Sequence, residues 1–166
     1  HLLKDTLRFA KNINFMNGKL IGLLEGNHFG VFNHGGMTTT QKLAELLQTK
    51  YLGVCSMIRV IITVGKSTKR LSLDIFAHHG RGGGRTIGGG INPVVQMESI
   101  AEADIYLMGD NHQKALGDST RLKMIHGRGE HLYIKERKKI YARTGSFLRG
   151  YVDNKKSYIV DGLFPP

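Results

Sequence analysis

The chain has 166 residues, 40% hydrophobic and 22% charged, ordinary globular usage that excludes a disordered tail or a fibrous protein and leaves room for one domain. Lys and Arg number 24 against 13 Asp and Glu, a formal +11, which points to a polyanion among the substrates or partners. A lone Cys55 excludes an internal disulfide and a Cys-rich zinc site, so a metal would fall to the eight His with Asn and carboxylates. No apolar run approaches the ~18–20 residues that cross a bilayer and no signal-peptide zoning is present, which favours an intracellular protein without membrane partners.

The chain opens at His1 on an amphipathic pattern. Leu2, Leu3, Leu7, Ala10 and Ile13 share a helical face opposite Lys4, Asp5, Arg8 and Lys11, and Asn17-Gly18 ends the helix. Residues 19–24 form a short apolar run that reads as a buried strand, ending at Glu25-Gly26-Asn27-His28. Thr38 with Gln41 three residues on predicts a capping box and a second helix towards Gly53. Residues 54–64 and 70–77, rich in Val, Ile, Leu and Thr, predict a hairpin around the polar 65–69 stretch, ending at His78-His79-Gly80. A Gly-dense loop over 81–91 leads to Asn92-Pro93, a helix cap and first turn, with that helix reaching about Ala103. Residues 104–108 predict a strand ending in Gly109-Asp110-Asn111-His112, and 122–125, 131–134 and 140–142 read as short antiparallel strands. The predicted order is αβαββαβ followed by β-rich sequence, an α/β protein in one domain, with an α/β core over 1–112 and a β-rich part over 113–166.

Three predicted strands thus end in polar clusters containing His. In open α/β sheets ligands gather beyond the carboxyl ends of parallel strands, so these distant segments are candidates for one site. Imidazole, amide oxygen and carboxylate together suit Mn, Fe or Zn.

Gly26-Asn27-His28, His79-Gly80 and Gly109-Asp110-Asn111-His112, in this order, resemble the later signature blocks of calcineurin-like metallophosphoesterases. Residues 143–151, Arg-Thr-Gly-Ser-Phe-Leu-Arg-Gly-Tyr, with Ser157-Tyr158 and the terminal Pro-Pro, look most like phage and prophage members. The resemblance implies a sandwich of two β-sheets flanked by helices, whose first strands precede His1. It implies two divalent metal ions, Mn foremost with Zn, Fe or Mg as alternatives. Asn27 and His79 would bind one metal and His112 the other, with Asp110 where the family has a His on the Asn27 metal. His28 would be the general acid protonating the leaving alkoxide. The family's Asp-x-His and Gly-Asp-x-x-Asp blocks are not found ahead of Asn27, so the resemblance implies that half the metal site lies outside these residues. Phe29 replaces the acidic residue that usually orients the catalytic His.

Gly65-Lys66-Ser67 imitates the end of a phosphate-binding loop, but Val60 stands where the first Gly is required, and a strand follows. The Gly-dense loop lacks a G-x-G-x-x-G spacing; leaving His79 and entering a helix, it reads as a phosphate-facing loop with Arg81 and Arg85 as substrate contacts. His34 is a further substrate-facing candidate. After His112 the chain carries 12 Lys and Arg against 5 Asp and Glu. Arg137, Lys138, Lys139 and Arg143, with Tyr133 and Tyr141, are candidates for a cationic face towards DNA or RNA. The expected activity is hydrolysis of a phosphate ester, foremost a phosphodiester; the rival is a non-catalytic basic nucleic-acid-binding protein retaining the fold.

Overall fold

A computed structural model describes residues 1–33, 35–66, 68, 70–81, 87–127, 129, 131–147 and 152–156. The chain forms two compact units, His1–Ser56 and Met57–Pro166, and its class is mixed α/β.

The first unit holds α1 (Leu2–Asn12) and α2 (Thr39–Leu46), which pack together. α2 begins with the predicted capping box: Gln41 N–H donates to Thr38 Oγ1 at 3.1 Å and Thr38 N–H to Gln41 Oε1 at 2.8 Å, so two of the helix's orphan donors are satisfied. It stops at Leu46, short of the predicted end, because Gln48 turns left-handed (φ +50°) and Thr49 N–H bonds back to Ala44 C=O. The strand expected over 19–24 is not formed. Leu23 makes an isolated parallel bridge with Tyr51, and Glu25 N–H bonds Gly53 C=O. Gly22 interrupts the run where a Cβ would lie 2.6 Å from Leu52 side-chain carbons.

The second unit is built on one five-stranded sheet: β1 (Cys55–Thr63), β2 (Arg70–His78), β3 (Ile105–Met108), β4 (Lys114–His126) and β5 (Leu132–Thr144), in the order β1-β2-β3-β5-β4. β2, β3 and β5 run parallel, and β4 is antiparallel to β5. The three short strands expected after Ser119 are instead one hairpin of two 13-residue strands. Their charged residues obscured the alternation by occupying both faces. α3 (Ile87–Gln96) joins β2 to β3. It starts five residues before the predicted Asn92 cap, so Pro93 falls inside it and removes a backbone donor there. It also ends early, at Gln96, and a 3-10 turn over Met97–Ser99 replaces the expected run to Ala103.

α3 covers one face of the sheet, where Val94 and Met97 pack with Phe76, Ala103, Tyr106, Met108 and Tyr141. Tyr106 and Tyr141 are register partners whose rings stack at 5.4 Å. The fully buried Tyr106 hydroxyl donates to Ala101 C=O and accepts from Ala103 N–H, both at 2.9 Å, pinning the turn that feeds β3. At the rim, Asp104 accepts from Arg137 Nε (2.7 Å) and Asp74 N–H (2.9 Å), and Asp74 forms a two-pronged pair with Arg59. The Arg137 hydrogen bond holds the Asp104 carboxyl below the usual carboxylate range against the opposing effect of burial.

Tyr106→Phe leaves the Ala103 N–H and Ala101 C=O unpaired by Tyr106 and is expected to cost about 1–3 kcal/mol in urea unfolding; an unchanged midpoint refutes that role. Because Asp104 is depressed in the folded state, its contribution is present above the ordinary carboxylate range and is lost as pH falls through the folded value, below ~4. The stability gap between wild type and Asp104→Asn should therefore narrow as urea titrations are taken from pH 7 to below pH 4.

Candidate metal centre at the carboxyl ends of the parallel strands

β2, β3 and β5 finish level with one another, His78 opposite Met108 and Met108 opposite Arg143, so the residues just beyond them share one edge. Two glycines make this edge close enough for contact. Gly80, at φ +103°, would place a Cβ 2.7 Å from Gly109 C=O, and Gly109 would place one 2.9 Å from His79 C=O. Only hydrogen at both positions lets the turns cross. Gly80 N–H donates to His78 Nδ1 at 2.7 Å, which ties the turn to the strand end.

The crossing brings His79 Nε2 to 3.5 Å from Asp110 Oδ1, with side chains 20% and 15% exposed. Asp110 itself is left-handed at φ +63°, and Asn111 N–H closes a three-residue turn onto Gly109 C=O at 2.8 Å. Such a backbone is costly for a residue with a Cβ and is tolerated best by Asp and Asn. The buried Asn111 accepts from Gln113 N–H, fixing the loop that carries the half-buried His112.

Arg143 lies beneath this loop, 2% exposed. Its Nε donates to Gly90 C=O at 2.6 Å and its Nη1 to Gly109 C=O at 3.0 Å, so one guanidinium joins the first turns of α3 to the Asp110 turn. Burial lowers its pKa, and the Asp110 charge opposes that shift. Sequence reading placed Arg143 on a solvent face; the level strand ends, invisible without register, make it a support of the site.

Asn27 and His28 are exposed residues of the first unit, two and three positions after the buried Glu25. Glu25 hydrogen-bonds Tyr51, whose hydroxyl pKa is raised by burial first and then by that carboxylate. Arg81 is exposed, and His34 and Arg85 lie outside the described residues. An imidazole nitrogen and a carboxylate oxygen side by side suit a borderline ion such as Mn or Zn. Among the described residues, however, no three His, Cys, Asp or Glu side chains form a metal-holding group. Among the described residues the second unit therefore presents a two-donor pair. No protein-family model matches the chain, and no curated protein or solved structure matches it significantly. No described helix is long and apolar enough to cross a membrane.

Gly80→Ala is expected to lower stability by more than ~1 kcal/mol through both the left-handed φ and the clash with Gly109. Gly117→Ala, where a Cβ meets Ile91 at an ordinary 3.7 Å, should change the denaturation midpoint far less. Equal shifts in the two variants would remove the reason given for the close crossing.

Proposed function

We propose that the chain belongs to a calcineurin-like metallophosphoesterase hydrolysing a phosphate ester, foremost a phosphodiester of nucleic acid or nucleotide type. The observation that carries this reading is the His79–Asp110 pair at the level carboxyl ends of β2 and β3, where an α/β sheet collects its ligands. These residues are the ones that the family resemblance singles out.

The sheet face opposite α3 also supports the two-sheet reading. Leu71, Leu116, Leu122, Met124 and Ile134 are all more than half exposed there, more apolar surface than a solvated layer ordinarily presents.

In this reading His79, Asp110, His112 and Asn27 hold divalent metal ions, Mn foremost. Bound metal supplies charge neutralisation and an activated water near neutral pH. The chain's own contributions are positional and acid–base. Arg143 holds the Asp110 turn against α3, and the Gly80–Gly109 crossing sets the His79 to Asp110 spacing. His28 donates the proton to the leaving oxygen. With Phe29 after it, His28 takes no orienting hydrogen bond from the following side chain, which favours good leaving groups over poor ones.

The test is Mn2+ binding by calorimetry on the full-length polypeptide, with 4-nitrophenol release from bis(4-nitrophenyl) phosphate. His79→Ala is expected to lose both binding and turnover. His28→Ala should keep the metal and lose about 10²–10⁴ in kcat, most for poor leaving groups. Absence of metal binding and of product in the wild type would end the enzyme reading in favour of a non-catalytic nucleic-acid-binding protein, a rival that the uncompensated cations described next also favour.

A further inference from the structure

At the opposite end of the sheet the strands do not finish level. β3 starts at Ile105, whereas β2 starts at Arg70 and β5 at Leu132, and pairing with β3 begins only at Ile75 and Ile140. The first residues of β2 and β5 therefore flank a gap where β3 is missing. This gap is a groove of about 620 Å3 whose lining includes the cations Arg70, Lys123 and Lys135, the carboxylates Asp104 and Glu136, and the apolar Ile125; Asp104 is taken up by Arg137, and Glu136 lies on the other face of the hairpin from Lys123 and Lys135.

The charges along the hairpin give the groove its chemistry. On the face shared with the core, the cross-strand pairs are Ser119 with Lys139, Arg121 with Arg137, and Lys123 with Lys135. The inner cations are compensated: Lys139 by Glu102 and Glu98, Arg137 by Asp104 and Glu102, Arg121 by Glu98. The last rung is not. Among the described residues Lys123 and Lys135 have no carboxylate partner, nor has Arg70 across the gap. Like charges directly opposite one another destabilise a strand pair, and a bound anion between them removes that cost.

We propose that this groove binds the phosphodiester backbone of a single nucleic-acid strand. Neighbouring strands lie ~4.8 Å apart, so the axes of β2 and β5 stand ~10 Å apart across the missing strand, and a groove of that width takes a single extended backbone along its rim but no duplex. Lys123 and Lys135 clamp one phosphate, Arg70 engages the next, and Ile125, on the same face as the two lysines, offers apolar surface to a base. The choice of nucleic acid over an acidic peptide rests on the phosphodiester reading above; the anion site itself does not.

The experiment is fluorescence anisotropy of a labelled 12-residue oligothymidylate with the full chain in EDTA, over a series of salt concentrations. Binding is thus read without turnover, while the phosphoesterase reading is judged separately on a small aryl ester, so the two can fail independently. Lys123→Gln/Lys135→Gln is expected to weaken binding about tenfold. It should flatten the log K against log salt slope by roughly 0.7, because the two lysines share one phosphate and the slope falls by ~0.7 per phosphate contact. Its ligand-free melting temperature should be unchanged or higher, because a like-charge pair is removed. If that variant does not fold, Arg70→Gln alone should flatten the slope by about 0.7. Unchanged affinity and slope in the folded double variant, or equal displacement of the oligonucleotide by polyglutamate of the same charge, would overturn the proposal.

Discussion

β3 is four residues long and its neighbours are nine and thirteen, and this mismatch organises the second unit. Three parallel strands that end together but begin apart give the sheet two unlike ends. At the level end, successive turns are forced into contact, and glycines at 80 and 109 are the only residues that fit. At the uneven end the middle strand is absent, and the outer two leave a groove. A longer β3 would close that groove without touching the other end.

What sets the length of β3 is the fastening at its start. The Tyr106 hydroxyl holds both Ala101 and Ala103, while Asp104 exchanges backbone bonds with its neighbours, giving N–H to Asp74 C=O and accepting Ile140 N–H at its own carbonyl. The chain is turned away from the sheet just before Ile105. Asp104 then uses its carboxylate on Arg137, so the residue that terminates the ladder also neutralises the first cation beside the gap. Glu98, carried on the turn after α3, plays the matching part for Arg121 and Tyr141. Burial pushes its carboxyl up, but the Tyr141 and Arg121 hydrogen bonds and the Lys139 charge outweigh that and hold it below the usual range. Packing and charge compensation are thus the same contacts.

Much of this was legible in the sequence where a local rule governs. The capping box at Thr38 and the short strand before Gly109 each depend on residues a few positions apart, whereas α1 ends at Asn12, before the expected break at Asn17-Gly18. The run over 19–24 misled because apolarity alone does not distinguish a strand from an extended segment; its one bridge, Leu23 to Tyr51, is made with a residue 28 positions away. Asn92-Pro93 misled because the helix begins five residues earlier, at Ile87. Gly90 C=O is held by Arg143, a contact no window around residue 92 contains. Of the candidate site, the juxtaposition of His79 with Asp110 follows from reading parallel strand ends. The supporting role of Arg143 does not, since it requires the register between β3 and β5.

The basic charge shows most clearly what register adds. Arg137, Lys138, Lys139 and Arg143 form one dense patch when read along the chain, but strand alternation divides them. Arg137, Lys139 and Arg143 face the core side and are consumed there, by Asp104, by Glu102 and by the carbonyls of Gly90 and Gly109. Lys139 and Arg143 are also almost wholly buried. Arg137 and Lys139, paired with carboxylates, contribute to the net charge of the chain and little to the attraction of a polyanion, because their field is largely cancelled at close range; Arg143 is withheld by burial. The cations that retain their reach are those whose rung has run out of carboxylates. They gather where β3 is missing, so the strand that is too short to complete the sheet also determines where the excess positive charge is exposed.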